Sequence, residues 1–308
     1  MKVAVTGASG FIGGYVARYL ARYGFDVTGF GRRPAALLDA PVPRYQSWDF
    51  ATPSLEQKRF DAVVHCGALV GDWGSDESFF RANVDGTRAV LDAFADAPRF
   101  IHVSSSSVYS DHVAKRSISE GADVGSCRYS AYGRTKATAE AVVIASGRSA
   151  VILRPHIVYG PGDTTLFPRV IDACRLGRLL VPGTGKNWMS MTHVENLASC
   201  VGGALRTSVA GIFNVTDGED ATVHDLLTTI LARYGVHARP LYLPTGTADL
   251  LAFAMEAAWR AVGAAHRPPF TRYLVAQLTE DHTLDISRAK EVLGYAPKWS
   301  YRDGPVAH

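Results

Sequence analysis

The chain has 308 residues, of which 47% are hydrophobic and 20% are charged. This length allows one large or two modest hydrophobic cores, and the composition is typical of a soluble globular protein. The formal net charge of +3 is too small to indicate nucleic-acid binding, and no run of five like charges occurs.

The four cysteines are widely spaced and form no C-x-x-C pair, which indicates reduced thiols in a cytoplasmic protein and no zinc site. The N-terminus starts directly with a short β-like run, so a signal peptide is not expected. The apolar stretch 247–262 contains three charged side chains and is too short for a membrane span. We expect it to form an amphipathic helix that covers a pocket.

Short apolar runs alternate with helical patterns through the first half of the chain. This alternation indicates βαβ units and a doubly wound parallel sheet of the Rossmann type, an α/β fold, over residues 1–165. The predicted strands are 3–5, 25–30, 62–64, 100–103 and 150–153, and the predicted helices are 11–23, 76–95 and 131–145.

The pattern changes after Gly160, where prolines and glycines separate short elements. Residues 166–308 are predicted to form mainly a smaller C-terminal α+β lobe that binds substrate. Within them, roughly 190–215 return to the Rossmann domain through a helix at 194–206 and a strand at 211–214.

A glycine-rich loop lies between the first predicted strand and the first predicted helix. Glycines at positions 7, 10 and 13 permit a tight turn and close approach of a diphosphate, and the helix N-terminus presents free N–H groups to it. An ordinary glycine-rich turn is the alternative. The expected cofactor contacts in this loop are Gly7, Ser9, Gly10, Phe11, Ile12 and Gly13.

The end of the second predicted strand carries Arg32 and Arg33, where NAD enzymes usually carry an acidic residue for the adenosine ribose. Guanidinium groups match a 2′-phosphate in charge and geometry, so NADP(H) is favoured and NAD(H) stays possible. Both arginines could instead be solvated surface residues. Asp49 and Phe50 follow a third short strand, where Asp49 could bond the adenine amino group or cap a turn.

Tyr132 and Lys136 form a Y-x-x-x-K motif at the start of a predicted helix, which places both side chains on one helical face. The serine run 104–107 ends a strand at the carboxyl edge, where such sheets bind ligands. A free tyrosine has a pKa of about 10 and exchanges protons poorly near neutrality. A lysine ammonium nearby, helped by the charge of an oxidised nicotinamide, would lower that pKa, and a serine hydroxyl would orient a substrate carbonyl. The alternative is that Tyr132 and Lys136 face solvent without a catalytic role and that the serines form only a polar loop after the strand.

The sequence resembles the extended short-chain dehydrogenase/reductase family, in the NAD-dependent epimerase/dehydratase superfamily. The resemblance covers nearly the whole chain and implies that Ser105 is catalytic and that Ser107 faces the substrate. It also implies that Tyr132, Lys136, Ala68 and Pro155 contact the cofactor. The motifs that carry it are TGASGFIG at 6–13, HCGAL at 65–69, NVDGT at 83–87, HVSSSSVY at 102–109, YGRTK at 132–136, LRPHIVYGPGD at 153–163, GTGKNWMSMTHVEN at 183–196 and DISRAKEVLGY at 285–295.

Within that family the sequence looks closest to the 3β-hydroxysteroid dehydrogenase-like branch, which includes bacterial reductases of 2-alkyl-3-oxoalkanoates. Nucleotide-sugar enzymes carry an asparagine and an arginine for the substrate diphosphate, where this chain has Ile157 and Met189. Apolar side chains at both positions favour a largely apolar substrate.

We therefore expect an NAD(P)-dependent oxidoreductase that interconverts a secondary alcohol and a ketone. A nucleotide-sugar epimerase or dehydratase with tightly bound NAD(P) is the first alternative, and a non-enzymatic NADP sensor is the second. The histidines at 65, 102, 156 and 193 have no metal-ligand spacing and are expected to serve structure, with no metal bound. By resemblance, the helices near 76–95 and 131–145 could form a homodimer.

Overall fold

The fold is described from a computed structural model, for residues 1–50, 59–111, 113, 115–164, 166–264 and 266–303. Residue 165, the predicted domain boundary, lies outside the described residues. None of the described helices is long and apolar enough to cross a bilayer.

A parallel sheet of seven strands organises the first part of the chain. Its strands are β1 (Lys2–Thr6), β2 (Asp26–Gly31), β3 (Tyr45–Ser47), β4 (Ala62–His65), β5 (Arg99–Val103), β6 (Ser149–Pro155) and β11 (Gly211–Val215). Their spatial order is β11-β6-β5-β4-β1-β2-β3. The chain reverses its winding direction between β1 and β4, which is where sheets of this kind bind ligands.

Helices cover both faces of this sheet, which is why its strands are continuous apolar runs. The helices of the described part of the chain, including those of the second lobe, are α1 (Phe11–Arg22), α2 (Asp76–Phe80), α3 (Gly86–Ala93), α4 (Ala131–Ala145), α5 (Leu166–Ala173), α6 (Val194–Arg206), α7 (Val223–Arg233), α8 (Thr245–Ala261), α9 (Arg272–Thr279) and α10 (Ser287–Leu293). Val3 and Val5 of β1 pack with α1, α6 and α10, whereas Ala4 packs with α3 and α4 on the other face.

The structure differs from the predicted helix at 76–95 in one respect. A π-helical turn, Arg81–Asp85, separates α2 from α3. The wider turn contains Asn83, whose side-chain amide accepts from Leu69 N (2.7 Å) and donates to Leu69 O (3.2 Å) and Thr135 Oγ1 (3.0 Å). Asn83 therefore fastens the helix to the segment after β4 and to α4, and π-turns are frequent at functional sites.

The second part of the chain builds a smaller layer from three strand pairs. Parallel pairs join β7 (Val158–Tyr159) to β10 (Thr192–His193) and β8 (Arg178–Pro182) to β13 (Arg239–Leu243). An antiparallel pair joins β9 (Trp188–Ser190) to β12 (Asp220–Thr222). The segment between them returns to the large sheet, since α6 packs on α1 and β11 pairs with β6.

Candidate active site

The glycine loop follows β1 with a backbone path that only glycine can take. Gly7 has φ +73°, and a Cβ there would lie 2.6 Å from Gly67 N on the neighbouring segment. A Cβ on Gly13 would collide with Gly7 O. The loop closes through a hydrogen bond from Gly10 N to Gly7 O (2.9 Å). These contacts bring the backbone close to the β1–β4 crevice, as a diphosphate site requires.

The N-terminus of α1 is suited to an anion. Its N-cap residue is Gly10, no side chain caps the helix, and the first turn contains no acidic residue. The N–H groups of the first turn are therefore free of side-chain acceptors, and the helix dipole favours negative charge there. Phe11 and Ile12 begin this turn and are partly buried. The loop and helix fit the diphosphate of a dinucleotide.

The two predicted 2′-phosphate ligands differ in their surroundings. Arg33 donates to Ser9 O (3.0 Å from Nε) and pairs with Asp39 at 3.0 Å. Arg32 is exposed, and no described residue bonds its guanidinium. Both lie directly after β2, beside the glycine loop. Arg33 fixes the loop, whereas Arg32 can turn toward a ligand.

The other predicted cofactor residues lie at or just after the ends of strands of the same sheet. Asp49 is exposed two residues beyond β3, and the partly buried Phe50 packs against Trp48 and so closely under Gly67 that a Cβ on Gly67 would collide with its ring. Ala68 follows Gly67 at the end of β4, and Pro155 is the last residue of β6.

Helix α4 begins as the Y-x-x-x-K motif requires. Ser130 caps it by accepting from Gly133 N (2.8 Å). Gly133 lies so close to the serine loop that a Cβ would collide with Ser107 O. Glycine at this position therefore brings the first turn of α4, with Tyr132, against Ser105 and Ser107.

Lys136 lies beneath this turn and is 2% exposed. Its Nζ donates to Val103 O (2.8 Å) and lies 3.2 Å from His102 Nε2. Burial lowers the pKa of Lys136 to about 8, although the nearby Glu140 opposes this shift. The lysine therefore stays largely cationic at neutral pH.

A row of hydroxyl groups extends from Tyr132 across the site. Ser105 Oγ forms a hydrogen bond with Ser107 Oγ (3.1 Å), and Ser107 Oγ lies 3.0 Å from the hydroxyl of Tyr273. The side chain of Ser105 also forms a hydrogen bond with the side chain of Tyr132. Tyr273 belongs to α9, so the second lobe contributes one hydroxyl to the site. Sequence reasoning missed this tyrosine because nothing in its local pattern connects it to the serine loop.

The pKa of Tyr132 is raised in the protein alone, whereas the sequence predicts a lowered pKa with the oxidised nicotinamide bound. Burial raises it to about 12, the hydrogen bond with Ser105 lowers it, and the neighbouring Tyr273 raises it. The ammonium of Lys136 is directed at Val103 and His102 instead. Tyr132 is therefore a protonated phenol near neutral pH, ready to donate.

The two predicted substrate residues lie close to one hydrophobic cluster in the second lobe. Met189 is 3% exposed in that cluster, and Ile157 packs against it. Ile157 has φ +29°, a strained value for a β-branched residue. Such strain is often kept at ligand sites, where the surroundings hold it in place.

A cavity of about 590 Å³ lies between the segment 71–76, the start of α4 and helix α8. Glu256, Trp259 and Arg260 of α8 line it, together with Asp72 and Arg134. Leu250 and Phe253 of the same helix are instead exposed to solvent. Helix α8 thus contributes mainly polar side chains to this cavity.

Among the described residues, no group of three or more histidine, cysteine or acidic side chains is placed to hold a metal ion. All four cysteines, Cys66, Cys127, Cys174 and Cys200, are free thiols.

Comparison with known proteins identifies the family. A model of the NAD-dependent epimerase/dehydratase family matches residues 3–216. The chain belongs to this family. It is 31% identical, over 99% of its length and 97% of the relative, to the 2-alkyl-3-oxoalkanoate reductase of Stenotrophomonas maltophilia (strain K279a). It is 26% identical to the decarboxylating sterol-4-alpha-carboxylate 3-dehydrogenase of Mus musculus, over 96% of this chain and 86% of that protein.

Among solved structures, the UDP-glucuronic acid 4-epimerase of Bacillus cereus in complex with NAD superposes with a TM-score of 0.76 and 25% identity, over 99% of this chain and 96% of that one. This likeness confirms the Rossmann-type α/β fold. The relatives confirm the expected extended short-chain dehydrogenase/reductase family and its 3β-hydroxysteroid dehydrogenase-like branch. The chain is an NAD(P)-dependent oxidoreductase of this family.

Proposed function

We propose that the enzyme interconverts a ketone and a secondary alcohol at the hydroxyl groups of Tyr132 and Ser105. The observation that carries this proposal is the placement of Tyr132, in the first turn of α4, against the serine loop, with the buried Lys136 one turn further along the same helix. Proton donor, carbonyl-orienting hydroxyl and cation thus come from α4 and from the serine loop that follows β5, at the carboxyl edge of the sheet.

Each group has a distinct role in this proposal. The nicotinamide supplies or accepts the hydride when the cofactor is bound. Tyr132 gives a proton to the carbonyl oxygen during reduction, and Ser105 orients that oxygen and stabilises its developing charge. Lys136 is proposed to hold the nicotinamide ribose and, together with the charge of the oxidised nicotinamide, to stabilise the phenolate. Ser107 faces the substrate next to Ser105.

The proposed substrate has a large apolar part and is either a β-oxo or β-hydroxy acid derivative, such as a long-chain 3-oxoalkanoate, or a sterol. Ile157 and Met189 support an apolar substrate because they offer a diphosphate neither a cation nor an amide. The two relatives support the β-oxo acid pattern, since both of their names describe a carboxylate on the carbon next to the oxygen-bearing carbon.

We propose NADP(H) as the preferred cofactor and NAD(H) as the weaker one. Arg32 and Arg33 at the end of β2 support this choice, because a guanidinium matches the 2′-phosphate. Gly7, Ser9, Gly10, Phe11, Ile12 and Gly13 are proposed to hold the diphosphate. Asp49, Phe50, Ala68 and Pro155 are proposed to complete the cofactor site.

A nucleotide-sugar epimerase is the second candidate, and the likeness to the UDP-glucuronic acid epimerase favours it. Such an enzyme would retain its nicotinamide through the catalytic cycle. The two candidates therefore differ in whether oxidised and reduced cofactor accumulate in solution.

A substrate panel tests the proposal. Purified protein is assayed with NADPH and NADH against 2-alkyl-3-oxoalkanoates, simple long-chain ketones and 3-oxosteroids, and its binding of UDP- and dTDP-sugars is measured by calorimetry after loading with cofactor. We expect cofactor oxidation with the β-oxo substrates and no sugar-nucleotide binding. Micromolar binding of a sugar nucleotide, without net cofactor turnover on any ketone, would instead identify an epimerase.

Three further assignments belong to the proposal. The substrate is proposed to bind mainly to residues 166–308, with roughly 190–215 in the Rossmann domain. A homodimer through α2, α3 and α4 is supported by the exposed Phe80 and Ile144 on those helices. The four free thiols support a cytoplasmic location.

A further inference from the structure

The buried ammonium of Lys136 has two neighbours on strand β5. One is the carbonyl oxygen of Val103, at 2.8 Å, and the other is Nε2 of His102, at 3.2 Å. An ammonium carries three protons and cannot accept a hydrogen bond. With two protons directed at β5, a third remains for another acceptor.

The contact fixes the protonation pattern of His102. Because the ammonium only donates, Nε2 must present its lone pair, and the ring proton of a neutral imidazole must then reside on Nδ1. His102 is 0% exposed, and its Nδ1 has no partner among the described residues. An unpaired buried N–H costs free energy. The fold therefore accepts an unsatisfied group on one side of the ring in order to present an acceptor to Lys136 on the other.

The other titratable groups around Lys136 do not replace this acceptor. His65 lies beside His102 with ring centroids 5.3 Å apart, but its two nitrogens bond Thr6 Oγ1 (2.7 Å) and Thr87 Oγ1 (3.1 Å). Glu140, one turn further along α4, binds Arg154 and Ser104. Burial raises the pKa of the Cys66 thiol to about 12, so it stays neutral. Tyr132 is likewise a neutral phenol.

We propose that His102 is a positioning residue: as the Nδ1–H tautomer, it accepts one proton of the Lys136 ammonium, keeps the lysine charged and turns its remaining proton toward Tyr132 and the nicotinamide ribose. The inference rests on the proposed function only for the role of Lys136. The tautomer and the charge of the lysine are properties of the protein alone.

Nitrogen NMR of the ligand-free wild type tests the tautomer directly. In ¹⁵N-histidine-labelled protein at pH 7, with His102 assigned from a His102→Gln spectrum, we expect a pyrrole-like Nδ1 and a pyridine-like Nε2. The opposite tautomer, or a doubly protonated ring, would overturn the inference, because neither can accept from an ammonium.

The charge of Lys136 supplies the second measurement. The chain has seven lysines, so ¹³Cε-lysine labelling gives a tractable spectrum in which Lys136→Met assigns the signal. In wild type, burial places the pKa of Lys136 at about 8. We expect the titration midpoint to lie about one pH unit lower in His102→Phe. It should return to the wild-type value in His102→Gln, whose amide oxygen can accept from the ammonium. His193→Phe, at a buried histidine stacked on Trp299, is the matched control and should leave the midpoint unchanged.

The affinity for the cofactor tests whether the contact between His102 and Lys136 affects cofactor binding. NADPH and NADH are titrated against all variants at pH 6 and pH 8. For His102→Phe we expect wild-type affinity at pH 6 and affinity several-fold weaker at pH 8, with recovery in His102→Gln. An unchanged lysine midpoint in a folded His102→Phe protein would refute the positioning role. A shifted midpoint with unchanged cofactor binding would retain the contact but refute its link to the cofactor. Lack of activity on every ketone would count against the proposed function alone.

Discussion

Arg154 and Glu140 form an ion pair inside the protein, with Nη2 and Oε2 2.6 Å apart and both side chains at most 3% exposed. Arg154 lies on β6 and Glu140 on α4. Glu140 also accepts from Ser104 Oγ (2.5 Å), at the beginning of the serine loop, and Arg154 donates to Glu120 O (3.2 Å). This network ties the helix that carries Tyr132 to the strand end that carries Ser105.

Removing one member of this ion pair should lower the free energy of unfolding substantially. Arg154→Met leaves the Glu140 carboxylate buried without its partner, which costs about 3–5 kcal/mol of unfolding free energy. The double variant Arg154→Met, Glu140→Met should recover part of this loss, because it removes both charges. Urea unfolding monitored by circular dichroism measures both effects. Arg88→Met, at an exposed pair with Asp85, is the control and should change stability by less than about 1 kcal/mol. A similarly small loss for Arg154→Met would contradict the assignment.

Stability should fall in mild acid because of buried histidines. His282 is 5% exposed and stacks on His156, with the two ring centroids 4.2 Å apart. Its Nε2 has no hydrogen-bond partner among the described residues. Burial lowers the pKa of His282 from 6.5 to about 3. The unfolded chain then binds a proton that the folded chain excludes, so this stability is present above pH 6.5 and is lost as the pH falls toward 3.

The variant His282→Phe isolates this contribution, since it keeps the stacked ring and removes the titrating group. Between pH 6 and pH 4, the wild type should lose about 1.4 kcal/mol of unfolding free energy per pH unit more than the variant does. Urea titrations at pH 7, 6, 5 and 4 give the two slopes. Parallel slopes would show that His282 is protonated in the folded protein.

Cofactor preference should depend on the two arginines after β2. We expect NADPH to bind about tenfold to a hundredfold more tightly than NADH, since one charge-assisted bond contributes roughly 1.5–3 kcal/mol. Arg32→Ala should reduce this preference more than Arg33→Ala, because Arg33 already bonds Ser9 and Asp39, and the double variant should abolish it. Fluorescence titration of both cofactors provides the affinities. Equal binding by the wild type would refute the arginine assignment and leave the fold untouched.

The fold could be predicted where local pattern determines it. The apolar runs, the glycine loop and the Y-x-x-x-K spacing each depend on neighbours in sequence. The doubly wound parallel sheet and the bounds of α4 agree with the predictions made from these patterns. The π-helical turn could not be foreseen, because it depends on contacts of Asn83 with segments far away in the chain.

Contacts between residues that are far apart in sequence also explain which features of the site were not predicted. Tyr273 reaches Ser107 across 166 residues, and Glu140 meets Arg154 only after α4 packs on β6. The rise in the pKa of Tyr132 in the protein alone was not predicted, because sequence gives the residue types and not their burial. His102 was assigned to structure, since its tautomer is visible only from the position of Lys136.

The central claim, that Tyr132 donates the proton, is tested most directly by Tyr132→Phe. Its turnover is measured on the panel substrate that the wild type reduces most efficiently, together with its affinity for NADPH. We predict a fall in kcat on the order of 100- to 10,000-fold, because general acid catalysis is lost, with cofactor affinity nearly unchanged, because the glycine loop is intact. A variant that turns over at the wild-type rate would contradict the account.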